Sequence, residues 1–200
     1  MNPILLDFPD LFDTKRLTIR APRSGDGPEI DAAIKESQAE LIPWMPWAKT
    51  LPAPDETEAR LRRNVAKWIT REDLLLHLYL KGTTTFVGGS GLHRINWEVG
   101  KFEIGYWVRT KFAGQRYISE AVDGITRFAF THLKANRVEI RCDTRNTRSA
   151  AVAKRCGFLL EATFRHDDRG VDGDLRDTLV FSKISPTEFH HYDDTHPHAS

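Results

Sequence analysis

Apolar positions change period from segment to segment along this chain. From Lys15 to Pro22, Leu17, Ile19 and Ala21 alternate with polar neighbours, the period-two pattern of a half-buried strand. Residues 24–41 read as a helix with Pro28 in its first turn, where a missing N–H costs little. A loop over 42–54 carries Pro43, Trp44, Met45, Pro46 and Trp47 in a row. Asp55 is expected to cap a second helix, with Glu58 three residues on completing a capping box. Its buried stripe is Leu61, Val65, Trp68 and Ile69. Leu74–Leu80 and Thr84–Arg94 read as two strands joined through Lys81 and Gly82. Gly88, Gly89 and Gly91 weaken the second and predict a bulge or a close backbone approach. A turn over 96–100 leads to a strand at 102–108, a basic loop at 109–116 and a helix reaching 133. That helix carries Ile118, Ala121, Val122, Ile125, Phe128, Ala129 and Leu133 on one face. A strand at 137–143 precedes a short helix at 147–156, stopped by Gly157 in a left-handed C-cap. Residues 158–165 and 174–184 close the pattern as a strand pair. The order is β α α β β β α β α β β, after an irregular acidic leader over 1–13 and before a polar, mobile tail over 185–200.

The 200 residues suffice for one domain with a sizeable core, spanning 1–184. A formal net charge of +1 gives no bulk electrostatic case for nucleic acid. Two cysteines, Cys142 and Cys156, make neither a disulfide framework nor a zinc spacing and read as reduced core thiols. The longest apolar run, Leu74–Leu80, is too short to cross a bilayer, and the first residues lack a signal-peptide pattern. The expectation is a soluble, cytoplasmic protein. The tail holds four of the eight histidines and reads as a disordered segment rather than a metal site, so no metal is expected.

The strand, glycine-containing loop and helix over 102–133 form a device for holding phosphate. Loop amides and the free N–H groups of the first helical turn point at one spot, and the helix dipole favours an anion there. No GxxxxGK run is present, and Gly114 lacks the partners of a GxGxxG fingerprint. What EIGYWV, then GQRYISEA, then NTRSAAVAKRCGF resemble is the GNAT superfamily of N-acetyltransferases, and within it the RimJ/RimL branch. The resemblance covers roughly residues 13–184 and is strongest over 103–121 and 144–158.

That resemblance implies an α/β (α+β) fold with a mixed, mostly antiparallel twisted sheet flanked by helices. It implies acetyl-CoA as cofactor, its pyrophosphate held by the amides of Gly114, Gln115, Arg116, Tyr117, Ile118 and Ser119. The family's loop usually reads G-x-G or G-x-A, and Arg116 stands at the second small position. It either adds charge to the phosphates or crowds them. In this family the strand before the loop splays from its neighbour, and backbone at Trp107 or Val108 polarises the thioester; Gly105 permits such irregularity. The resemblance assigns Asn146 to the cofactor and Ser149 to protonation of the departing thiolate, although an Asn or Ser before a helix is also an ordinary cap. Lys154 and Arg155 either reach the 3′-phosphate or sit on a solvated surface.

For the base, Glu103 on the central strand comes first and Asp168 second. His93 and His166 follow, since a lone histidine is more often structural. Asp177 reads as structural, and Tyr106 and Trp107 as sheet packing apart from backbone roles. Trp44, Met45 and Trp47 are the expected acceptor pocket, with core packing as the competing reading. The implied reaction is direct attack of an amine on acetyl-CoA, with no covalent enzyme intermediate. The acceptor is expected to be a protein N-terminal α-amine of the ribosomal-protein type. The alternatives are a small-molecule amine (a polyamine, an amino-acid derivative or an antibiotic) and a non-catalytic CoA sensor. No direct nucleic-acid or membrane partner is expected. Homodimers are common among the relatives, but the sequence shows no interface.

Overall fold

The computed structural model describes residues 2–185, so the tail expected over 185–200 lies outside the described residues except for Ser185. Eight strands form one sheet: β1 (Leu11–Asp13), β2 (Leu17–Arg20), β3 (Leu74–Leu80), β4 (Phe86–Asn96), β5 (Lys101–Val108), β6 (Arg137–Asp143), β7 (Leu159–Arg169) and β8 (Leu175–Lys183). Their spatial order is β1-β2-β3-β4-β5-β6-β8-β7. Every neighbouring pair is antiparallel except β5 and β6. Four helices complete the fold: α1 (Gly27–Leu41), α2 (Pro54–Thr70), α3 (Tyr117–His132) and α4 (Thr147–Arg155). The mixed sheet flanked by helices is the architecture expected from the sequence.

The two faces of the sheet do different things. On one, Leu17, Ile19, Leu74, Leu76, Leu78, Phe102 and Ile104 are buried against Ala121, Val122, Ile125, Phe128 and Ala129 of α3. This is the larger core, and it fixes where α3 begins. On the other, Tyr79 and Phe86 pack with Ile30 and Ile34 of α1 and Leu61 of α2, and Trp107 lies against this cluster. Removing a buried aromatic such as Phe86 from a cluster of this kind costs about 3–5 kcal/mol.

Three local expectations need correction. The leader is not wholly irregular: Leu11–Asp13 forms β1, because Phe12 stacks on Phe128 of α3 with ring centroids 4.8 Å apart. Helix α2 starts before Asp55, and Glu56 rather than Glu58 reaches back, accepting the Ala53 amide at 3.0 Å. Ala53 has no side-chain oxygen, so only half of a capping box exists. Glu58 instead accepts from the Gly25 amide and pairs with Arg62, tying α2 to the entry of α1. Ile69 is 60% exposed, one position round the helix from the buried Trp68.

Both expectations for the β4 glycines are met. The β3–β4 register shifts at Leu78/Tyr79. The backbone at Gly89 is approached closely by Trp107, whose Nε1 would sit 2.5 Å from an added Cβ. Gly157 has φ +70°, the left-handed cap after α4.

The functionally decisive feature is the β5–β6 junction. β5 has eight residues and β6 seven, yet only Lys101, Phe102 and Glu103 pair with Arg137, Val138 and Glu139. Beyond Glu103 the strands part, and β6 gives its length to β8.

Candidate active site

Two cavities meet at the parted strand. One, of about 610 Å³, occupies the gap between β5 and β6 and is lined by Tyr106, Val108, Ile140, Cys142, Asn146 and Ser149, with Asp168 across from them on β7. The other, of about 450 Å³, lies between the sheet and helices α1 and α2, with Ile34, Trp47, Arg60, Phe86, His93 and Trp107 in its walls. Met45, Gly105, Tyr106 and Trp107 line both, so β5 is their common wall.

The loop between β5 and α3 is held in place by contacts from other elements of the protein. Arg109 pairs with Glu29 and Glu36 of α1 at 2.8 and 2.7 Å. Ser37 accepts the Thr110 amide at 2.9 Å. At the other end Arg16 donates to the Gln115 carbonyl and pairs with Glu120 on the first turn of α3. These contacts satisfy the early loop. The amides of Gly114, Gln115, Tyr117, Ile118 and Ser119 donate to no protein group among the described residues. Five such N–H groups on either side of Arg116, at a helix N-terminus, are an anion cradle. Ala113 and Ile118 line the 610 Å³ cavity, so the cradle opens onto it. The structure also shows what the small residue usually found at position 116 is for. Arg116 has φ +64° and Gly114 φ +77°. Glycine enters that region freely, whereas a residue with a Cβ does so at roughly 1–2 kcal/mol. The side chain of Ser119 does not face the cradle, because its Oγ accepts from Arg155 at 3.0 Å. Arg155 makes this contact from an exposed position on α4, in keeping with the surface reading expected for it and Lys154.

At the other end of the same cavity, Asn146 caps α4 by accepting the Ser149 amide at 3.0 Å. Ser149 Oγ lies 2.9 Å from the hydroxyl of Tyr106, which also reaches the Ser149 carbonyl at 3.0 Å. Burial pushes the Tyr106 phenol far above its ordinary value, so it stays protonated and available as a donor. Cys142 lines this cavity with its thiol pushed up by burial, which makes it a poor nucleophile.

The base candidates are scattered. Glu103 lies in the paired part of β5, bound to Arg94 at 3.0 Å, and lines neither cavity. Asp168 lines the 610 Å³ cavity, but the Arg169 amide and the Arg176 guanidinium hold its carboxyl below the usual range. His166 is exposed on β7, its amide donating to Asp177. His93 is placed differently. Its Nδ1 lies 2.8 Å from Asp73, and its Nε2 has no hydrogen-bond partner among the described residues. The ring covers Gly105, where an added Cβ would meet Nε2 at 3.3 Å, and it lines the 450 Å³ cavity.

The tryptophan loop straddles both cavities. Trp44 and Met45 line the larger, Met45 and Trp47 the smaller. Both tryptophans are 37% exposed, too open for core residues. Trp47 meets Trp107 edge-on at 6.0 Å. Three features escaped the sequence reading: the Tyr106 hydroxyl on Ser149, the Asp73–His93 pair and Arg60 in the smaller cavity. Only the first had a signal. Tyr106 shares strand parity with Phe102 and Ile104, so it must point to the α3–α4 face.

A parted parallel strand pair, an anion cradle at the following helix and a second cavity across the strand define an acyl-CoA-dependent N-acyltransferase. The chain belongs to the GNAT acetyltransferases, whose acetyltransferase domain matches residues 16–159. It is an acetyl-CoA-dependent N-acetyltransferase of the RimJ/RimL-like branch. It is 30% identical over 174 residues to YdaF of Bacillus subtilis (strain 168), provisionally named a ribosomal N-acetyltransferase, covering 85% of this chain and 92% of that protein. Its fold matches RimL, a ribosomal L7/L12 α-N-protein acetyltransferase solved with coenzyme A, at a TM-score of 0.81 and 20% identity, over 87% and 97% of the two chains. It also matches MccE, the microcin C7 self-immunity acetyltransferase solved with acetyl-CoA and AMP, at 0.79 and 22%, over 86% and 93%. No helix among the described residues is long and apolar enough to cross a membrane.

Proposed function

We propose that this enzyme acetylates a protein N-terminal α-amine, in the cytoplasm, with the amine entering through the 450 Å³ cavity. The observation that carries this reading is the position of His93. It is the titratable group beside Gly105, at the wall shared by the two cavities, with Nδ1 oriented by Asp73 and Nε2 unengaged. An α-amine ionises near ~7.7–8.0, so its neutral form is far more available than that of a lysine.

The residues divide the work as follows. The amides of Gly114–Ser119 hold the pyrophosphate, and the cofactor presents an activated acetyl thioester. The edge of β5 left unpaired by β6 would receive the pantetheine arm, with backbone at Trp107 and Val108 available to orient the carbonyl. Asn146 shapes the same wall while it caps α4. Trp44, Met45 and Trp47 enclose the junction and exclude water. His93 Nε2 accepts the proton that the amine gives up as its nitrogen bonds to the acetyl carbon. Ser149, paired with Tyr106, presents a hydroxyl proton to the sulfur as the C–S bond breaks. The amine gives one proton to His93 and the thiol gains one from Ser149; exchange with solvent then removes the proton from His93 and restores that of Ser149, so the net reaction is proton-neutral. Glu103 and Asp168, the bases first expected, then serve position: one braces Arg94, the other Arg176.

The test is thiol release from acetyl-CoA with a panel of N-terminal peptides, polyamines and aminoglycosides. The reading expects peptides with free α-amines to be turned over and their Nα-acetylated forms to be inert. Turnover of polyamines alone contradicts it.

A further inference from the structure

The smaller cavity has a charge that nothing among the described residues answers. Arg60, on the second turn of α2, lines it half-buried. Among the described residues Arg60 forms no ion pair with a carboxylate, and its guanidinium carbon lies over the Trp47 ring at 6.0 Å. No aspartate or glutamate among the described residues lines the cavity. Acids on the flanking elements have other partners: Asp26 has Arg20 and His77, Asp73 has His93, Glu58 has Arg62, and Glu56, one turn before Arg60, accepts the Ala53 amide. Burial lowers the ionisation range of both Arg60 and His77, but a guanidinium remains charged at neutral pH while a buried imidazole becomes neutral. The cavity is thus an apolar, aromatic-walled space with one uncompensated cation. Withdrawing a cation from water without a partner is unfavourable, and a ligand anion removes the deficit.

We propose that the acceptor carries an anionic group, a carboxylate or a phosphate close to its amine, and that Arg60 receives it. This rests on the reading of the cavity as the acceptor site and narrows the acceptor within it. Guanidinium and carboxylate or phosphate match as a two-point fork, which orients the acceptor as well as binding it. The same charge repels polyamines and other multiply cationic acceptors. For a protein substrate the inference selects N-termini with an acidic side chain in the first few residues.

The experiment compares kcat/KM for the C-terminally amidated tripeptides Ser-Asp-Phe, Ser-Asn-Phe and Ser-Lys-Phe, and for phenylalanine against phenethylamine, at saturating acetyl-CoA. The wild-type enzyme should prefer the aspartyl peptide to the asparaginyl one by ~10-fold or more, as loss of a hydrogen bond to a charged group implies, with the difference in KM. The lysyl peptide should be poorest. Arg60→Gln should bring the aspartyl-to-asparaginyl ratio near one, and Arg60→Lys should retain part of it. His93→Gln should lower kcat on all acceptors and leave the ratio intact, which separates charge recognition from general damage. A wild-type ratio near one, or a ratio that survives Arg60→Gln, overturns the proposal. Should the peptides be inert while phenylalanine exceeds phenethylamine in an Arg60-dependent way, the anion site stands and the N-terminal reading falls. No turnover of any of these amines overturns both.

Discussion

The two cavities on either side of β5 are built from different materials. The side we assign to the cofactor offers backbone groups: the amides of Gly114, Gln115, Tyr117, Ile118 and Ser119, the β5 edge beyond Glu103, and a short helix capped by Asn146. The side we assign to the acceptor is lined by side chains from α1, α2, β3, β4, β5 and the tryptophan loop. Backbone recognition tolerates changes of side chain, which is why Arg116 can stand where a small residue is usual. Side-chain recognition does not, so acceptor choice can change while the cofactor half stays constant. The comparison predicts that single substitutions on the acceptor side alter kcat or selectivity strongly. Those on the cradle should shift stability and affinity mildly.

The sharpest break in that comparison is His93→Gln. A positioned general base contributes ~10²–10⁴-fold, so kcat should fall by about 10² or more while acetyl-CoA affinity, measured by calorimetry, is retained. An unchanged kcat removes His93 from the proton path. Ser149→Ala should lower kcat by roughly 10-fold with little change in cofactor affinity, and Tyr106→Phe should do the same to a lesser degree through the lost hydroxyl contact. Equal turnover in single-turnover assays contradicts the donor role.

Gly89→Ala places a methyl 2.5 Å from Trp107 Nε1, so it should destabilise the fold by about 1–3 kcal/mol in denaturant titrations. Because Trp107 lines both cavities, KM for the acceptor should rise as well. Asp26→Asn should cost roughly 1–2 kcal/mol at neutral pH. The native carboxyl of Asp26 is held well below its ordinary value by His77, Arg20 and the Arg23 amide, against a desolvation cost. A depressed native carboxyl stabilises the fold above its unfolded value near ~3.9, and the contribution is lost as pH falls further. The wild-type protein should therefore lose stability below about pH 4 more steeply than Asp26→Asn, which urea midpoints across pH would show. The smallest effect belongs to the cradle. Arg116→Gly relieves a left-handed residue and should change stability by about 1 kcal/mol or less, with coenzyme A still bound.

The sequence revealed the two halves unequally, for the same physical reason. The cradle and the α4 cap lie in contiguous stretches, 109–119 and 146–149, so a local pattern carried them. The strand–loop–helix order was legible for the same reason. The acceptor cavity joins Arg60 and His93, 33 positions apart in sequence, and no local pattern links them. His93 looked like an isolated histidine because its partner, Asp73, comes just before the neighbouring strand. Glu103 came first as a base because strand alternation alone does not reveal its ion pair with Arg94. β1 was missed because Phe12 packs on Phe128 of α3, more than 100 residues later.

The most direct test of the central claim is a crystal structure with a bisubstrate analogue, coenzyme A joined through an acetyl bridge to the α-amine of an acidic N-terminal peptide. The account predicts the pyrophosphate on the Gly114–Ser119 amides and the bridge passing β5 at Gly105. The amide nitrogen should lie within hydrogen-bond reach of His93 Nε2, and the acidic side chain on Arg60. A peptide leaving instead toward Asp168 and the β7–β8 turn, with the α1–α2 cavity empty, would contradict it.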